Sequence, residues 1–240
     1  MVMKPLWMAA AFGLLLLSQQ AAAADIQRAD FAREQASRDA RQLADWVVDS
    51  GDNLAKPFVI VDKTNARVFV FDAAGRIRGA APALLGSARG DDSVAGIGER
   101  ELSDVLPGDR TTPAGRFVAA LGRNFRGEDV VWVDYDAAVS LHRVITSNPK
   151  ERRLHRLATP TPKDNRISYG CINVPVSFYE TVVSPAFTGT EGIVYVLPET
   201  RPARQVFGSY DVEERAGRYH AGESARRLSA RRESAATYVR

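Results

Sequence analysis

The chain has 240 residues, a formal net charge of +3 and one cysteine. A lone cysteine excludes a disulfide-stapled scaffold and a cysteine-rich metal site. The length allows one domain with its own core plus extensions.

Residues 1–24 read as a signal peptide: Lys4, an apolar stretch from Leu6 to Leu17, then four alanines before Asp25. That stretch is shorter than the roughly 20 residues a membrane span needs, so the processed chain is not expected to be an integral membrane protein. Export to the periplasm or cell envelope of a bacterium is the expectation. Residues 25–53 form an N-terminal amphipathic helical segment, in which Ala32, Ala36, Ala40, Leu43 and Val47 recur three or four apart before Ser50-Gly51-Asp52-Asn53 ends it.

Short β segments follow. Phe58–Val61 and Arg67–Phe71 flank a hairpin turn at Lys63–Ala66, and Ile77–Leu85 is next. A polar loop from Gly86 to Arg110 is long enough to be a functional flap. Strands resume at Gly115–Leu121, Val130–Val133 and Ala138–Ile145, then a second polar loop spans Asn148–Arg166. Val176–Val183 reads as a short helix behind Pro175, and Ile193–Leu197 as the last strand. The domain is set at 57–199. Residues 200–240 read as a basic, disordered tail, with nine arginines against five acids from residue 201 onward. Its natural contacts are anionic envelope polymers; an exported protein rarely meets nucleic acid. Many short strands with Gly/Pro turns predict a mostly β fold, an antiparallel sandwich or barrel with an N-terminal α-helix and short peripheral helices.

A thiol sent to an oxidising compartment without an intrachain partner is either a reactive thiol or an intermolecular link. Cys171 lies in Ile167-Ser168-Tyr169-Gly170-Cys171-Ile172-Asn173. Gly170 permits a close backbone approach, and the helix expected after Pro175 favours a thiolate. The N–H groups of Gly170 and Cys171 are candidate oxyanion donors. A cysteine nucleophile needs a base, and three histidines are available: His142 on a strand, His155 in an Arg-rich stretch and His220 in the tail. Ser168 either lines the site or holds the turn. Tyr169 and Asn173 flank it, and Arg143 and Arg166 are candidates for binding a carboxylate. No metal and no cofactor is expected. Cys and His lack ligand spacing, and the acids Asp91, Asp92, Glu99, Glu101 and Asp104 lack a glycine-centred calcium pattern.

Ser168-Tyr169-Gly170-Cys171-Ile172-Asn173 resembles the signature of the L,D-transpeptidase catalytic domain, and Thr111-Thr112-Pro113-Ala114-Gly115-Arg116-Phe117 resembles that family's Thr-Pro-x-Gly-x-Phe segment. The first hairpin resembles the family's opening strands. The resemblance covers residues 57–198 and implies a bacterial cell-wall acyltransferase whose thiolate attacks a peptidoglycan stem peptide, releases D-alanine and passes the acyl group to an amine. It also implies a strand histidine as base, which His142 fits, with Gly170, Ser168, Tyr169 and Asn173 shaping the site. Tyr169 stands where the family usually has histidine, and Arg143 where a small residue usually follows the base. His142 precedes Cys171 by 29 positions, longer than the family's usual gap, and His155 by 16. An insertion after the His142 strand reconciles the first spacing, since lengthening a loop costs little. His155 is the alternative base. Hydrolysis of the same bond, or a catalytically degenerate wall-binding module, are the alternative functions.

Overall fold

The computed structural model describes residues 26–237, with side chains to residue 230; the expected signal peptide lies outside the described residues. Helix α1 (Arg38–Ser50) is followed by strands β1 (Phe58–Asp62), β2 (Arg67–Phe71), β3 (Ile77–Pro82) and β4 (Leu85–Gly86). Then come β5 (Gly115–Arg123), β6 (Asp129–Asp134), β7 (Val139–Arg143), α2 (Arg153–Ala158), β8 (Arg166–Ser168) and β9 (Ile172–Val174). The chain ends with α3 (Val176–Phe178), a π turn (Tyr179–Val183), α4 (Ser184–Phe187), β10 (Gly192–Val196), α5 (Ala203–Phe207) and α6 (Val212–Thr237).

The expected mostly β fold, with an N-terminal helix and short peripheral helices, is what the chain forms. Eight strands make one sheet in the order β3-β2-β1-β10-β5-β6-β7-β9, while β4 and β8 pair apart. The sheet is mixed rather than antiparallel, because β1–β10 and β7–β9 are parallel pairs. The cause is connection length: β9 and β10 are each reached by a long crossover, and only a tight hairpin enforces antiparallel pairing. Strand β5 is shared between two halves, its residues 115–119 pairing with β10 and 120–123 with β6. Leu84, just after the edge strand β3, bridges Asn173 on the opposite edge strand β9, so the sheet nearly closes on itself.

Alternation sorts the side chains. Val59, Val61, Val68, Val70, Val194 and Val196 enter one buried cluster together with Leu141, Ile172, Phe178 and Tyr179. Their neighbours Phe58, Ile60, Phe69, Phe71, Ile193 and Tyr195 point to the opposite face, where Leu43, Trp46 and Val47 of α1 cover them. Burying a side chain of this size stabilises the fold by about 1.5–3 kcal/mol.

Two expectations are corrected here. The N-terminal helix begins at Arg38, not near residue 26. Ser37 caps it by accepting the Ala40 N–H, and the preceding chain is extended. Asp30 bridges Arg76, and Phe31 packs edge-on to Phe69 and Phe71 at 5.6 and 5.0 Å between centroids. The segment expected to be a disordered tail is helical in α5 and α6. Phe207, Tyr210 and Val212 pack on the outer cluster, and Arg215 reaches Asp49 at 2.7 Å. Its arginine surplus hid these anchors. The short helix predicted at Val176–Val183 runs on to Phe187. Pro185 has no N–H to close on Thr181, and the ladder widens into the π turn before it.

Candidate active site

Parallel pairing of β7 with β9 sets Leu141 against Ile172 and His142 against Asn173. Leu141 and Ile172 are fully buried in the inner cluster. Alternation then places Ser140, His142, Cys171 and Asn173 on the other face, which α1 does not reach. Two segments far apart in sequence thus present a thiol and an imidazole side by side.

Cys171 is half-buried, with no disulfide partner. Its Sγ lies 3.7 Å from Ser140 Oγ and donates to the Ala138 carbonyl at 3.6 Å. Burial pushes the thiol pKa up. The hydrogen bond and charge of His142, with the Ser140 N–H and hydroxyl, outweigh burial and bring it below the ordinary thiol value. His142 Nδ1 lies 2.7 Å from the Arg143 carbonyl. A carbonyl only accepts, so Nδ1 carries a proton and the neutral ring keeps its lone pair on Nε2.

The turn before Cys171 is tightly held. Ser168 Oγ donates to the Cys171 carbonyl at 2.6 Å and accepts the Gly170 N–H at 3.1 Å. Ser168 therefore holds the turn. The Gly170 N–H is already used, which removes it as an oxyanion donor. Gly170 has φ +135, and a Cβ there would lie 2.8 Å from the Thr111 carbonyl. Thr112 Oγ1 donates to the Gly170 carbonyl at 2.8 Å and accepts the Gly86 N–H at 2.9 Å. The Thr-Thr-Pro segment is thus seated directly against the cysteine turn. Asn173 is buried and donates to the Cys171 carbonyl at 3.2 Å, while its Oδ1 accepts from Arg153 of α2 at 2.7 Å.

Other expected residues fall elsewhere. His155 is exposed on α2 and His220 is exposed on α6. Both candidate carboxylate binders are committed inside the fold. Arg143 donates to Asp129 Oδ1 at 2.9 Å and Glu180 at 3.1 Å and lies over the Tyr179 ring, whereas Arg166 donates to Glu199 at 2.6 Å and to the Lys63 carbonyl at 2.9 Å. Tyr169 is partly exposed, and the Arg110 guanidinium sits 4.1 Å above its ring, tying the Gly86–Arg110 loop to the site. An open cleft of about 400 Å³ runs beside His142, bordered by Arg123, Asp129, Arg143, Ile145 and Val176.

Sequence reasoning missed three contributors. Ser140 was findable, because it sits one strand repeat before His142. Arg153 arrives from α2, within a stretch whose sequence reads as a polar loop with no local pattern. Lys63, read as a turn residue, is fully buried and donates to Asp91 at 2.8 Å, Gly90 O at 2.6 Å and Thr112 O at 2.9 Å. Burial alone would push the Asp91 carboxyl up, but Lys63, the Thr200 hydroxyl and the N–H groups of Glu199 and Thr200 hold it well below the usual carboxylate range.

Among the described residues, no group of three or more His, Cys, Asp or Glu converges to hold a metal ion, and no helix is long and apolar enough to cross a membrane. No family model matches the chain, and no curated protein matches it. Solved structures do. One is the LD transpeptidase LdtMt1 in complex with imipenem, with 15% identity and a TM-score of 0.34 over 59% of this chain and 58% of that one. Another is the catalytic domain of the E. faecium L,D-transpeptidase, solved by NMR, with 18% identity and a TM-score of 0.32 over 60% of this chain and 98% of that one. The match thus spans 58% of the length of the first of these neighbours.

Proposed function

We propose that this chain is an exported cysteine acyltransferase of the L,D-transpeptidase type, acting on peptidoglycan stem peptides through a thioester on Cys171. The observation that supports it most is the shared face of β7 and β9. There a thiol with a lowered pKa meets an imidazole whose tautomer is fixed by the Arg143 carbonyl.

In this reading His142 takes the Cys171 proton and the thiolate attacks the carbonyl of the third stem residue. The tetrahedral oxyanion meets the Cys171 N–H, since Ser168 holds that of Gly170. The imidazolium then gives its proton to the departing D-alanine nitrogen, leaving the thioester. An amine from a second stem gives a proton back to His142, attacks the thioester carbonyl and frees the thiolate, forming an amide. Water in place of the amine makes the chain a hydrolase. The chemistry asks for no cofactor. The α6 arginines Arg218, Arg226 and Arg227 suit contact with anionic envelope polymers.

The test is intact mass after carbapenem treatment. A single adduct should form on the native chain and be lost in Cys171→Ala. Its formation should slow about 100-fold or more in His142→Ala and hold its rate in His155→Ala. An adduct surviving Cys171→Ala overturns the nucleophile, and no adduct on the native chain leaves a non-catalytic wall-binding module. D-Alanine release without crosslinked product assigns hydrolysis.

A further inference from the structure

We infer that Ser140 is a further catalytic residue, its hydroxyl donating to the Cys171 sulfur and stabilising the thiolate. The inference rests on the reading of Cys171 as a nucleophile and requires nothing about the substrate.

Ser140 is 6% exposed and stands on β7 one strand repeat before His142, next to Leu141, which pairs with Ile172, the residue after Cys171. A buried hydroxyl needs a partner, and the sulfur lies 3.7 Å from it. The geometry separates two states. As a thiol, Cys171 donates its proton to the Ala138 carbonyl at 3.6 Å, and its sulfur is a weak acceptor for Ser140. As a thiolate, it loses the bond to Ala138, and the bond from Ser140 becomes charge-assisted and stronger. A bond that strengthens on ionisation favours the ionised form. The carbonyl that takes the thiol proton belongs to Ala138, which sits at φ +52. That left-handed conformation is uncommon for a residue with a Cβ.

The groups that set this charge balance are few. On β7 they are His142 and Ser140. From the turn preceding the cysteine comes Tyr169, with Arg110 stacked on it. From α2 comes Arg153, which acts through Asn173. The acids are Asp134, at the end of β6, and Asp136, in the connection between β6 and β7. His142 provides the charge, and Ser140 adds a neutral donor that persists whichever way the histidine is protonated.

The experiment is the pH dependence of iodoacetamide alkylation and of thiolate absorbance, measured on the full chain for the native protein, Ser140→Ala and Ser140→Thr. In Ser140→Ala the midpoint should rise by about one pH unit and alkylation below it should fall about tenfold, with the rates converging at high pH. Ser140→Thr, which keeps the hydroxyl, should restore the native profile. A Ser140→Ala profile that superimposes on the native one overturns the inference, and so does a lowered melting temperature with an unmoved midpoint. A shifted midpoint in a chain that forms no carbapenem adduct supports the inference while the transferase reading fails.

Discussion

The two halves of the sheet obey the same alternation and put it to different use. In β2-β1-β10, valines fill one face and aromatic or large aliphatic residues the other, and α1 seals the second face. In β7-β9 the inner face is equally apolar, with Leu141, Ile172 and Val174, yet the outer face carries Ser140, His142, Cys171 and Asn173. The difference is the cover. Where α1 lies on the sheet the covered side chains are apolar; on β7-β9 the buried polar groups Ser140 and Asn173 are hydrogen-bonded, and the strands hold the half-buried His142 and Cys171 at the edge of that polar layer.

The comparison can be broken most strongly at Lys63, which begins in the first half and holds the second. Lys63→Met leaves the Asp91 carboxylate without its buried cation, while Glu199 keeps Arg166, and should cost about 3–5 kcal/mol in chemical denaturation. It should also loosen Thr112 and with it the Gly170 turn. A variant with native stability would show that the buried pair contributes nothing net. Next is Leu43→Ala in α1, at 2% exposure. It should lose about 2–4 kcal/mol of stability while the folded protein alkylates at the native rate. A changed alkylation rate would mean that the halves are coupled more tightly than the covering helix implies. Smallest in stability is Gly170→Ala, which should cost about 1–3 kcal/mol through its backbone conformation and the close Thr111 carbonyl. Its adduct formation should nonetheless fall about 100-fold, because the turn aims the sulfur. Equal losses in stability and in rate would remove the distinction between the halves.

Much of the first half was legible in sequence, because Val-Phe-Val-Phe alternation at residues 68–71 and the Phe58–Val61 run state their strands directly. Strand direction was not, since parallel pairing depends on where a crossover lands. At the site, Cys171 and the Thr-Pro-x-Gly segment were visible as motifs, and His142 as a strand residue. The ion pairs of Arg143 with Glu180 and Asp129, and of Arg166 with Glu199, were not legible because those acids are remote along the chain. Lys63 was invisible for the same reason: nothing local says that a turn lysine is buried, and its partners come from residues 90, 91 and 112. The helix at the C-terminal end escaped because three apolar anchors were outweighed by surrounding charge.

The fourth position of β10 in an eight-strand order has a kinetic meaning. It is the last strand to leave the ribosome, yet it joins β1 to β5 and so splices the early hairpins to the strands that carry the thiol. Pairing across more than a hundred residues pays a large closure entropy and forms slowly. The early hairpins are therefore joined to the β5–β9 half only once the chain is complete through residue 196, so the continuous eight-strand sheet that backs Cys171 and His142 is a late product of folding.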